Sequence, residues 1–255
     1  MATEIITLPG HLRALFDKVY EGEPVSGNAW VLWQRVLQAR IQEPAFFRRL
    51  STVQLACRTL RREVDGPLIG AASITPRTKA SWIQAIEQLT SLTMPNEFHL
   101  SIPQWKEKAQ QSDITLLDTM HVYYNLHNMF VEIDLDQLKD LAARLASLAE
   151  GLKSSVLEAR VQTFFARSLY ELRFSLANIE IFGFESAWAE SANLVGGVLR
   201  FRNELAAIAD LRQSLAATAW QAMQFLAVGV GAGAKEGPVS IAEAAQALLG
   251  GPPTV

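Results

Sequence analysis

Residues 131–220 contain no proline, are rich in alanine, and repeat apolar side chains at spacings of three and four. That pattern points to α-helices, because a strand would need a period of two and a proline would break the run. Asp134, with Gln137 three residues on, has the form of a capping box and opens the first helix. Its apolar face is Leu135, Leu138, Leu141, Leu145, Leu148 and Leu152, and Gly151 marks a break or kink. Ser155 and Glu158 repeat the capping pattern ahead of Val161, Phe165, Leu169, Leu172 and Leu176. Phe182-Gly183-Phe184 interrupts that helix, and a third long segment runs from Ser186 through Leu194, Val198, Leu205 and Leu215 to Met223. Interleaved alanines such as Ala142, Ala146, Ala216 and Ala219 let helices approach closely. Three long helices joined by short breaks predict an elongated antiparallel bundle.

The preceding half reads as shorter helices. After an extended lead-in over residues 1–10, helical spacing covers Leu12 to Val19, then Asn28 (as N-cap) to Gln42. Further helices are predicted from Pro44 to Val64, from Pro76 to Leu92, and from Ser112 or Asp113 to Phe130, with residues 97–101 as a short extended segment between prolines. Beyond Phe225, Gly229, Gly231, Gly233, Gly237 and Pro238 form a flexible linker. A tail helix follows, whose apolar face of Ile241, Ala245, Leu248 and Leu249 is a candidate partner-binding surface. The expected fold class is all-α: an N-terminal helical subdomain (1–130) packed on a bundle of three long helices (131–228), then a glycine-rich linker and amphipathic tail helix (229–255).

A net charge of −3 argues against a general nucleic-acid binder but conceals an uneven distribution. Between residues 35 and 62 lie seven arginines and one acid, Glu43, whereas residues 113–136 hold five acids and no lysine or arginine. The two segments are expected to neutralise each other in the fold. The competing reading is an anion or acidic-partner site at Arg48, Arg49, Arg58, Arg61 and Arg62. The single cysteine, Cys57, cannot form an internal bridge, which with the absence of a leader-like N-terminus suggests a cytoplasmic protein.

Three stretches could carry chemistry. Asp118, His121 and Asn125 fall on one helix face, so the carboxylate could orient the imidazole as a base. His127 points elsewhere, no second ligand set stands nearby, and neither metal nor cofactor is expected. Gly229 to Lys235 superficially resembles a phosphate loop, but a helix precedes it and Ala234 and Glu236 flank the lysine, which breaks the required pattern. Residues 213–234 carry no charge yet include Gln213, Gln221 and Gln224. The function expected is therefore a non-enzymatic interaction or scaffold subunit of a homo- or hetero-oligomeric assembly. The alternatives are a membrane-acting effector or pore former using residues 213–234, and an enzyme using Asp118 and His121.

Overall fold

A computed structural model describes residues 3–21, 26–66, 74–127 and 129–230. Helices dominate it, and the chain divides into two compact units. Of the described residues, those within Ile6–Met129 and Glu180–Gly183 form the N-terminal unit, and those within 3–5, Phe130–Ile179 and 184–230 form the C-terminal unit.

In the N-terminal unit, α1 (Leu8–Tyr20) begins earlier than the sequence suggests. Thr7 is its N-cap, accepting a hydrogen bond from the Gly10 amide, and Pro9 sits in the first turn, where a missing N–H is harmless. α2 (Trp30–Leu37) ends short of the expected Gln42 because Gln38 adopts a left-handed conformation with φ 47°. α3 (Pro44–Asp65) buries Phe46, Leu50, Val53, Cys57, Leu60 and Val64. α4 (Pro76–Ser91) buries Trp82, Ala85, Ile86 and Leu89. Pro95–His99 forms a 3-10 turn rather than the extended segment its flanking prolines suggested, followed by α5 (Ile102–Lys108) and α6 (Gln111–Leu126).

The core of this unit converges on Trp33, which is fully buried. Its indole meets Phe16 edge-on at 6.0 Å and Trp105 edge-on at 6.2 Å, and lies 6.1 Å from Phe98. Four elements thus contribute one ring each, and the two edge-on contacts have the geometry that aromatic quadrupoles favour. Burial pushes the Cys57 thiol in this core up to about 12, which keeps it protonated and inert.

In the C-terminal unit, β1 (Thr3–Ile6) pairs with β2 (Val131–Asp134), two short strands that the helical periodicity did not reveal. α7 (Leu135–Lys153) starts at Asp134, whose carboxylate accepts from the Asp136 and Gln137 amides, and continues through Gly151 without a break. α8 (Ala159–Ala177) packs along α7. α9 (Ile179–Arg200), whose residues Glu180–Gly183 belong to the N-terminal unit, contains a backbone break at Gly183, where φ is 71°. The predicted third long helix is not continuous: α9 ends at Arg200, a 3-10 turn spans Glu204–Ala207, and α10 (Ala209–Val230) runs separately. Burial of Phe201 and Leu205 draws the chain inward at this turn.

α10 also accounts for the described part of the uncharged stretch. It packs on α7 and buries Leu215, Ala216, Ala219, Ala222, Met223 and Leu226, while Gln213, Ser214, Gln221 and Gln224 are exposed. No helix among the described residues is long and apolar enough to cross a membrane. Gly229 falls inside α10, so the expected linker cannot begin there. The remainder of that linker and the tail residues Ile241, Ala245, Leu248 and Leu249 lie outside the described residues.

Close contact between α8 and α9 depends on a missing side chain. A Cβ on Gly197 would run into the Phe164 ring, whereas one on Gly196 would meet nothing within 4 Å. Gly197→Ala should lower the unfolding free energy by about 1–3 kcal/mol through overpacking, while Gly196→Ala should raise it by roughly 0.4–1 kcal/mol by restricting the unfolded chain. Urea titration of both variants checks the contrast, and equal behaviour would contradict it.

Candidate functional site

The strongest polar constellation lies within the N-terminal unit, along the seam between α1 and α6. The two helices run antiparallel, since Thr7 meets His121 while Arg13, farther along α1, meets Asp118, which precedes His121 on α6. Thr7 Oγ1 and His121 Nδ1 are 2.6 Å apart, and Asn125 Nδ2 lies 3.1 Å from His121 Nε2. Thr7 is buried and His121 is partly buried. Gly10 makes the approach possible, because a Cβ there would stand 2.7 Å from His121 Nδ1 and 2.8 Å from Thr7 Oγ1.

This Thr–His–Asn arrangement has the outline of a nucleophile, a base and an orienting amide. The proton inventory set by the orientation of the Asn125 amide opposes that role. With its amide nitrogen facing the ring, Asn125 donates to His121 Nε2, and this orientation puts a ring proton on Nδ1. Nδ1–H then donates to Thr7 Oγ1, which also accepts from the Gly10 amide. Both lone pairs of the hydroxyl are engaged, and the imidazole has no free lone pair facing it. In this state the ring clamps the cap of α1 and does not withdraw its proton.

The sequence pointed to Asp118, His121 and Asn125. Two of the three come together, His121 and Asn125. The Asp118 carboxylate turns instead to Arg13 at 2.8 Å, and Arg13 also holds Asp17 at 3.0 Å. Asp118 therefore does not orient the imidazole. The residues that do engage it on the α1 side, Thr7 and Gly10, were missed because residues 1–10 read as an extended lead-in. Thr7-Leu8-Pro9, an N-cap type followed by proline in the first turn, was the available signal.

The arginine set disperses in the fold. Arg49 is buried, and its guanidinium donates to the carbonyls of Leu37 and Gln38 at 2.6 and 3.1 Å, closing the C-terminal end of α2. It serves here as a structural cap, with its guanidinium turned to main-chain carbonyls inside the unit. Arg61 donates to Glu87 at 2.8 Å and pairs with Asp65. Arg61 and Asp118 thus find partners outside the two oppositely charged segments that were expected to neutralise each other. Arg48 is partly buried, while Arg58 and Arg62 remain exposed on α3.

Other ionisable groups serve the core. Burial pulls His11 down to about 4, so it is neutral at physiological pH. Tyr124 donates to the Glu63 carboxylate at 2.9 Å, and burial followed by the Glu63 charge raises its pKa. No group of three or more His, Cys, Asp or Glu able to hold a metal ion occurs among the described residues. In the C-terminal unit a depression of 480 Å³ is lined by Glu132, Asp134, Asp140 and Phe225, with Arg144 donating to Gln221 at 2.9 Å across its wall.

Comparison with known protein families, curated proteins and solved structures finds no match for this chain.

If Thr7 and His121 form a structural clasp, Thr7→Val should cost about 1–2 kcal/mol of stability, from the lost helix cap and a buried ring nitrogen left without its acceptor. Thr7→Ser, which keeps the oxygen, should recover most of that loss in the same chemical denaturation experiment. Equal destabilisation by both would contradict the hydrogen-bonded role.

Proposed function

We propose that this chain is a non-enzymatic helical interaction or scaffold subunit of an oligomeric assembly. The observation that carries the reading is the outward placement of large apolar side chains in pairs at helical spacing. On α6, Val122 is 55 % and Leu126 is 75 % exposed, one turn apart. On α3, Phe47 and Leu55 are 48 % and 54 % exposed, two turns apart. A single exposed leucine is ordinary, but spaced pairs on helix faces are how a helix offers anchors to a partner. The clasped state of His121 lends further support, because it leaves the one triad-like group in the described structure serving the fold.

Size-exclusion chromatography with light scattering, combined with affinity isolation at native expression levels, tests this. The wild-type chain should run in a complex heavier than its own 28.2 kDa. The quadruple variant Phe47→Ser, Leu55→Ser, Val122→Ser, Leu126→Ser should retain its circular dichroism and lose the complex. A wild-type chain that is strictly monomeric and isolates without a stoichiometric partner would overturn the proposal.

A further inference from the structure

The solvent face of α3 combines apolar and cationic groups in an ordered way. Phe47, Ser51, Leu55, Arg58 and Arg62 are all exposed and recur at spacings of three and four. By helical geometry they fall within an arc of about 80° and a length of about 22 Å. The opposite face carries the buried Phe46, Leu50, Val53, Cys57, Leu60 and Val64, so the stripe is not a continuation of the core. Its first half carries Phe47 and Leu55 about Ser51, and its second half carries Arg58 and Arg62, followed on the same arc by Asp65, which pairs with Arg61 and Lys79. Among the described residues neither Arg58 nor Arg62 is paired with a carboxylate, whereas the neighbouring Arg61 is already committed to Glu87 and Asp65. Arginine at both positions favours a carboxylate partner, because its planar fork can bind both oxygens at once.

We infer that this stripe docks an acidic amphipathic helix of a partner protein. The apolar anchors of that helix cover Phe47 and Leu55, and glutamates or aspartates about one and two turns beyond Leu55 reach Arg58 and Arg62. The inference rests on the interaction-subunit reading and supplies the chemistry of the partner. Charge complementarity decides the occupant: a second copy of α3 would set arginine against arginine in a parallel arrangement, and an antiparallel one would set arginine against the apolar anchors. A like-charged or wholly apolar helix would leave both guanidiniums unpaired.

The probe is a synthetic, fluorescently labelled 18-residue amphipathic peptide with leucines spaced eight residues apart and two glutamates beyond them, and its counterpart with lysines replacing those glutamates. Binding to the full chain is followed by anisotropy, and the site is mapped by amide chemical shifts. The glutamate peptide should bind at least tenfold more tightly than the lysine peptide and shift amides of α3. Leu55→Ser should weaken binding severalfold. In the Arg58→Glu, Arg62→Glu variant the preference should invert, so that the lysine peptide binds more tightly; that rescue shows the variant is folded. Absence of binding, equal affinity for the two peptides, shifts confined to other helices, or concentration-dependent dimerisation through α3 would each overturn the inference. A native complex that survives Arg58→Glu, Arg62→Glu would overturn it while leaving the interaction-subunit reading intact; a chain with no complex at all overturns that reading itself.

Discussion

Gly10 lacks the side-chain carbon that would collide with His121, and the α1–α6 seam of the N-terminal unit depends on that gap. Through it the imidazole reaches the Thr7 hydroxyl, which is already bound to the Gly10 amide. One turn along, Arg13 bridges to Asp118, so cap, ring and ion pair follow one another down the same seam. The partly exposed ion pair contributes modestly, on the order of 1 kcal/mol or less. The buried cap and ring contact matter more, because breaking either leaves a polar atom without its partner inside the fold.

With α1 held against α6, Phe16 on α1 can meet Trp33, which gathers Phe98 and Trp105 from two further elements. A fully buried tryptophan in such a cluster is worth roughly 3–5 kcal/mol against truncation to alanine. Arg49 works in the same direction by closing the end of α2, which carries Trp33. The N-terminal unit thus spends its most conspicuous polar residues on positioning helices. What it leaves outside, spaced apolar side chains on α3 and α6 and two arginines on α3, is where a partner could be engaged.

The all-helical class was legible from periodicity, as were the Asp134 cap, the entry of α3 at Pro44 and the interruption at Gly183. Residues whose role depends on distant partners were not. Arg49 looks like its neighbour Arg48 in the sequence, and only the nearby carbonyls of Leu37 and Gln38 make it a cap. Asp118 has the right spacing to reach His121, but spacing within one helix cannot show that Arg13 lies closer on another. The third long helix failed for a related reason. Residues 201–208 keep helical apolar spacing, with Phe201 and Leu205 both buried, and no glycine or proline marks the 3-10 turn that interrupts them. β1 falls within the expected extended lead-in, whereas β2 was hidden because four residues are too few to display a period.

With the Asn125 amide nitrogen against Nε2, His121 turns a lone pair to Asn125 and a proton to Thr7, and that arrangement makes it a clamp. Nitrogen-15 NMR of the histidine ring in the folded chain at neutral pH reads that arrangement directly. The result expected is the Nδ1–H tautomer, with a slowly exchanging ring proton whose signal changes on Thr7→Val. An Nε2–H tautomer, which would leave the Nδ1 lone pair free to take the Thr7 proton, would contradict the structural role and restore the case for a catalytic pair.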